Sequence, residues 1–158
     1  MSDFSTMPSE IPDTLFYKRC EFTTYLPLAR RYSPSHFWLA SEEPGLWRIG
    51  FTKFATRMLG EIVDHHSDPA PGATVSPGQV IGWVEGFKAL TELFCAASGE
   101  FCGANPALKE KISLISSDPY GEGWIYRVRG EPDATCVDAE GYRAILDAVI
   151  DGILESRP

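Results

Sequence analysis

Between residues 32 and 130, apolar positions come in short runs broken by turn residues, a spacing that predicts strands rather than long helices. Trp38 to Ala40 reads as a strand, SEEPG (41–45) as a turn and LWRIGFT (46–52) as the return strand, with Trp47, Ile49 and Phe51 on one face. Thr52 stands as the N-cap of a short helix, KFATRML, which Gly60 closes. EIVDHH is a further strand, leading into a loop punctuated by Pro69, Pro71, Gly72, Pro77 and Gly78. QVIGWVEG (79–86) is strand again and Lys88 stands at the turn; TELFCAASGEF (91–101) then reads as a strand, a turn at Ser98-Gly99 and a new strand. Asn105-Pro106, a cap followed by a first-turn proline, predicts a helix over ALKEKIS. DPYGEG (118–123) is a turn cluster and WIYRVRG (124–130) alternates as the last strand.

The two ends read differently. From Asp138, Tyr142, Ile145, Leu146, Val149, Ile150 and Ile153 recur at helical spacing, an amphipathic helix to about Leu154. Residues 1–16 are polar and proline-bearing, a loose arm, and 17–31 hold a short strand-like stretch that ends in a basic pair. The fold expected from this pattern is mainly β, barrel-like or sandwich-like, with small edge helices and a terminal helix packed against it.

Composition narrows the function classes. At 158 residues the chain is long enough for one real core, and 44% apolar with 23% charged residues is an ordinary globular balance. Acidic side chains outnumber basic ones 22 to 14, a formal charge of −8, which opposes nucleic-acid binding. The N-terminal stretch has neither a basic n-region nor an apolar h-region, and no run reaches the length of a membrane span. Cys20, Cys95, Cys102 and Cys136 include no CxxC pair, so reduced thiols in the cytoplasm are the expectation. Without a heptad run the expected state is a monomer.

Candidate chemistry centres on WVEGFKALTEL (83–93), where Lys88 sits at the tip of a strand–turn–strand flanked by Glu85 and Glu92. The residues alone leave three roles open for it: surface solubiliser, half of an ion pair, or handle for covalent modification. Gly99 is explained as a turn glycine with positive φ. Asp64, His65, His66 and Asp68 suggest a metal, but adjacent strand residues point to opposite faces and no second ligand cluster is visible, so a solvated strand end and no metal are expected. Cys95 and Cys102 read as small buried hydrophobes rather than redox thiols.

EGFKALTELFCAASGE resembles the attachment segment of lipoyl and biotinyl domains, most closely that of the glycine cleavage system H proteins. DPYGEGW (118–124), GFTKFATRMLGEIV (50–63), Tyr32 with Ser35-His36 and Trp38, and DAEGYRAIL (138–146) are similar to further segments of the same family. The resemblance implies a lipoyl/biotinyl-type barrel-sandwich hybrid: an N-terminal arm with an apparent insertion (1–31), a lipoyl-binding domain (32–130), and a linker with the C-terminal helix (131–158). It implies lipoic acid in amide linkage on Lys88, with Glu85 and Gly99 helping a lipoylating enzyme recognise the hairpin, and a cleft with Ser35 and Glu92 for the loaded arm. Phe87 and Ala89 beside the lysine, where a biotin domain has methionines, favour lipoate. The function implied is non-catalytic: carrying an aminomethyl group between glycine decarboxylase and aminomethyltransferase, with reoxidation by dihydrolipoamide dehydrogenase.

The sequence departs from the family's pattern in places. Phe37 stands where the family has a carboxylate, leaving the cleft a cation–π substitute for an anion. Gly86 replaces a common serine, and Ile11-Pro12 is separated from Tyr32 by the apparent insertion. Two alternatives follow: an H-like carrier of a sulfur or acyl load, or an unmodified binding module that keeps the fold.

Overall fold

The structure, a computed structural model, describes residues 13–155; the first twelve residues of the expected arm, Ile11-Pro12 among them, lie outside these. In chain order the elements are β1 (Thr14–Arg19), β2 (Phe22–Pro27), β3 (Arg31–Tyr32), β4 (Phe37–Glu43), β5 (Leu46–Phe51), α1 (Lys53–Leu59), β6 (Ile62–Ser67), β7 (Thr74–Val75), β8 (Val80–Gly86), β9 (Leu90–Phe94), β10 (Ala97–Ala104), a 3-10 turn (Pro106–Lys109), α2 (Leu114–Ser117), β11 (Tyr126–Pro132) and α3 (Ala139–Glu155). A six-stranded sheet runs β3-β4-β5-β11-β10-β7, a three-stranded sheet β6-β8-β9, and β1-β2 form a separate hairpin. Every pairing is antiparallel and the sheets do not close into a barrel.

Two apolar clusters hold these layers together. Leu39, Ile49, Phe101, Tyr126 and Val128 of the six-stranded sheet meet Ile62, Ile81, Val84 and Leu93 of the three-stranded one. On the other side, Tyr17, Phe22 and Leu26 of the hairpin pack with Trp38, Phe54, Tyr142, Leu146 and Ile150. Strand β4 is therefore buried on both faces: Phe37 and Leu39 enter the first cluster and Trp38 the second. Helix α3 contributes its predicted stripe, with Tyr142, Leu146 and Ile150 buried, and Asp138 caps it by accepting the Gly141 N–H at 2.8 Å.

Three local expectations are corrected. The arm expected to be loose through residue 16 already enters β1 at Thr14, and residues 14–27 make a full hairpin instead of one short strand. Cys20 occupies its two-residue turn with φ +54, because the twist of so tight a hairpin requires a positive φ. The hairpin is held to α3 by Arg19, whose guanidinium meets Asp151 at 2.8 Å, and by Tyr17 donating to Asp147 at 2.7 Å. The turn expected at Ser98-Gly99 is not there: both residues lie inside β10, and Cys95-Ala96 makes the connection from β9. Gly99 stands opposite Gly130, where a Cβ would run into the Arg129 carbonyl, so close backbone approach is what its positive φ (140°) serves. Over ALKEKIS, Asn105 does cap, accepting the Ala107 N–H at 3.0 Å, but only a 3-10 turn follows. The Asn105 amide is also committed to the Glu122 and Trp124 carbonyls at 2.8 and 2.9 Å, which pins this segment to the 118–124 turn.

A buried polar chain joins α3 to α1. His36 Nδ1 lies 2.8 Å from the Tyr142 hydroxyl, which lies 2.7 Å from Thr52 Oγ1; that oxygen accepts the Ala55 N–H as the α1 N-cap. Burial lowers the His36 pKa from 6.5 to about 4, so the imidazole is neutral.

Replacing Gly99 by Ala should cost on the order of 2–3 kcal/mol through steric collision and strained φ, whereas Gly72→Ala, with open space around it, should cost about 1. Urea midpoints at constant m-value check the difference. Between about pH 6.5 and pH 4 the unfolded chain binds a proton at His36 that the folded chain does not, so stability falls as pH drops through this window. The loss from this residue is on the order of 2–3 kcal/mol. His36→Asn, which tolerates the left-handed φ of 74°, should show a flatter stability profile between pH 7 and pH 4.

Candidate functional site

Strands β8 and β9 meet at Phe87-Lys88-Ala89, and the local sequence explains why this tip is rigid. Gly86 N–H donates to Ala89 O at 2.8 Å and closes the turn. The next two donors leave the hairpin: Phe87 N–H reaches Glu61 O at 3.0 Å and Lys88 N–H reaches Leu59 O at 2.8 Å. The tip is thus fastened to the last carbonyl of α1, which has no partner within the helix, and to the Glu61 carbonyl just beyond the Gly60 cap. Two glycines permit the approach. A Cβ on Gly86 would collide with the Leu59 carbonyl, and one on Gly60, φ 78°, would sit 3.0 Å from Lys88 Cγ.

Above this support the Lys88 side chain is exposed. Its ammonium contacts the Arg57 carbonyl at 3.3 Å and, among the described residues, pairs with no carboxylate. Glu85 stands on the solvent side of β8 opposite Leu90 and Asp64, not in contact with the lysine as an ion pair. Phe87 and Leu90 flank the tip with 78% and 67% of their surface exposed. Gly99 belongs to the other sheet, so the structure does not bring it to the tip.

Two concavities flank helix α1, and Lys88 lines one of them. One, about 460 Å³, runs between α1 and α2 and is lined by Lys53, Arg57, Glu61, Lys88 and the Ser116 region. The other, about 160 Å³, lies on the opposite flank and is walled by Phe51, Phe54, Ala55, Met58 and Leu59, with Ser35, His36 and Thr91 at its edge. Ser35 stands at the edge of this recess together with Thr91 of β9. Glu92 does not: it lies exposed opposite Trp83 on the outer face of β9, and Thr91, opposite core-facing Val84, is the residue that turns toward the recess. Phe37 does not offer a cation–π surface there. It is 1% exposed, paired in register with Phe51 and stacked on it at 5.1 Å, because strand alternation sends it into the core. No carboxylate among the described residues lines this recess.

The remaining candidates scatter. His65 and His66 face opposite sides of β6, with His66 bound to Asp68 at 2.8 Å and stacked on Trp83. Among the described residues no group of three or more His, Cys, Asp or Glu side chains gathers around a metal position. Cys95 is buried and donates to the Ala97 carbonyl, and Cys102 is half-buried in another part of the sheet. Sequence reasoning missed Arg57, Leu59 and Glu61 as supports of the tip, since their part is played by backbone carbonyls, which no side-chain pattern reveals. Met58, an exposed apolar residue on a short helix, was the available signal for the recess.

A family model described as glycine cleavage H-protein matches residues 30–147. Among similar curated proteins, the glycine cleavage system H protein of Shewanella sp. (strain ANA-3) is 38% identical over 126 residues, covering 77% of this chain and 96% of its own. That of Shewanella baltica (strain OS155 / ATCC BAA-1091) is 37% identical over the same shares. The crystal structure of a glycine cleavage system H protein from Mycobacterium marinum superposes with a TM-score of 0.69 at 32% identity, covering 77% of this chain and 99% of that one. The family match begins after the β1-β2 hairpin, so the hairpin is an addition to the matched region. With its barrel-sandwich architecture and an exposed lysine on a fastened hairpin, the chain belongs to the glycine cleavage H-protein family, the lipoyl carriers of the glycine cleavage system.

Proposed function

We propose that Lys88 carries lipoic acid in amide linkage and that the chain shuttles an aminomethyl group between glycine decarboxylase and aminomethyltransferase, with dihydrolipoamide dehydrogenase restoring the disulfide. The supporting observation is the geometry of the tip: a primary amine free of ion pairs among the described residues, on a backbone fastened by the Leu59 and Glu61 carbonyls. A ligase needs an accessible amine on a support that does not yield, and a flexible four-carbon stem on a fixed turn supplies both. The residues present fit the group. Gly60 leaves room along the lysine stem, and exposed Phe87 and Leu90 offer apolar contact to an incoming enzyme. When bound, the group supplies a disulfide that opens to thiols able to hold a one-carbon load. The chain's own share is presentation and recognition, without a catalytic site, and the setting is the cytoplasm. Glu85, on the solvent side of β8, is a recognition residue for the lipoylating enzyme. Gly99 supports that recognition by keeping β10 and β11 closely paired, at a distance from the tip.

A second reading changes only the load, to a sulfur or acyl group, and the absence of a carboxylate lining the recess among the described residues favours it. Reconstitution of the lipoylated chain with the other glycine cleavage enzymes separates the two: glycine-dependent turnover supports the aminomethyl load, and none supports the second reading.

Co-expression with a lipoylating enzyme should give an intact mass raised by one lipoyl group. Lys88→Arg should abolish the adduct completely and leave the urea midpoint unchanged, since the exposed ammonium makes one long hydrogen bond. Gly86→Val should reduce lipoylation at least tenfold by unseating the tip from the Leu59 carbonyl, with the rate of adduct formation as the readout.

A further inference from the structure

Lys88 shares the groove between α1 and α2 with two further cations. Lys53 and Arg57 stand about one turn apart on α1, a spacing at which like charges repel, and both side chains line the groove. Neither forms an ion pair with a carboxylate among the described residues. On the facing wall Ser113 and Ser117 present hydroxyls, and Ser113 gives no side-chain bond to the helix it precedes. Among the described residues Glu61 is the one carboxylate at the lining. On a chain of formal charge −8, three cations around one groove reverse the sign of the field locally.

We propose that this groove binds the phosphate of a small acyl phosphate and directs transfer of the acyl group to the Lys88 amine, a modification that needs no enzyme. A guanidinium and an ammonium are the side chains that bind phosphate oxygens best, and hydroxyls opposite them add hydrogen bonds. The volume, about 460 Å³, falls in the range of roughly 300–1,000 Å³ common to small-molecule sites. Position agrees. The Lys88 ammonium lies 3.3 Å from the Arg57 carbonyl, so the amine stands over the residue whose guanidinium lines the groove. A phosphate held by Lys53 and Arg57 brings its acyl carbon within reach of the flexible lysine stem, and the reaction gains from proximity. In the step the unprotonated amine attacks the acyl carbon, a C–N bond forms and the C–O bond to phosphate breaks. Inorganic phosphate leaves with the electron pair, the nitrogen gives one proton to water, and nothing is oxidised or reduced. The product is an uncharged amide. On the reading that Lys88 carries lipoic acid, an acylated chain is closed to attachment, so the groove governs how much of the protein can serve as a carrier.

The test incubates the full-length chain, shown by intact mass to be unmodified, with acetyl phosphate and reads initial acetylation rates at Lys88 and Lys111 by peptide mass spectrometry. Lys111, exposed and outside the groove, corrects for general reactivity. The Lys88-to-Lys111 ratio should be at least about tenfold higher with acetyl phosphate than with the succinimidyl ester of acetic acid, which delivers the same acyl group without a phosphate. Excess inorganic sulfate should bring the ratio to within about twofold of the ester's, whereas chloride at equal ionic strength should leave at least about half of it. Replacing both Lys53→Gln and Arg57→Gln should cut the acetyl phosphate ratio about tenfold, and Arg57→Lys, which keeps the charge, should stay within about threefold of the wild type. Equal ratios for the two reagents, or a double glutamine variant that matches the wild type, overturn the proposal. Neither result bears on lipoylation, which is read by the mass of the lipoyl adduct after co-expression.

Discussion

The hydrogen bonds from the hairpin tip to the end of α1 are the constraint on which the site depends. A two-stranded hairpin is marginal in water by itself, and a lysine on such a hairpin would sample many positions. Here the Phe87 and Lys88 N–H groups are bound to the Glu61 and Leu59 carbonyls, so the backbone of the lysine is held while its side chain is not. Both glycines at the junction serve that contact, one by omitting a side chain where a carbonyl passes and one by turning the chain out of the helix.

The position of α1 then matters as much as the hairpin. Its N-terminus is fixed by the chain from Thr52 through Tyr142 to His36, which ties it to α3 and to the segment before β4. Its buried face meets Phe22 of the β1-β2 hairpin, edge-on to Phe54 at 5.5 Å. The hairpin is clamped in turn to α3 by Arg19 and Tyr17. This addition to the family-matched region therefore buttresses the helix that supports the lysine, from the side opposite the core.

The departures from the family's pattern acquire a physical meaning in this frame. Phe37 stacks inside the core with Phe51, and Phe51 in turn forms a wall of the recess edged by Ser35 and Thr91. Glu92 presents its side chain to solvent on the outer face of β9. The result is a concavity of aromatic and aliphatic side chains with hydroxyls at the edge, a surface suited to uncharged groups.

Much of this architecture was legible in the sequence. Alternation gave the β4, β5 and β8 strands, Thr52 and Gly60 bounded α1, helical spacing gave α3, and the turn chemistry put Lys88 at a tip; all of these are set by interactions within a few residues. The tertiary structure alone decided that Gly99 faces Gly130 across two strands instead of making a turn, that Glu92 and Thr91 divide as they do between solvent and recess, and that residues 14–27 pair into a packed hairpin. The reason is register: a shift of one residue in strand pairing exchanges the faces of every side chain, and register is chosen by partners distant in the chain. The backbone carbonyls that hold the lysine's turn carry no side-chain signature at all, so only the folded chain shows where they point.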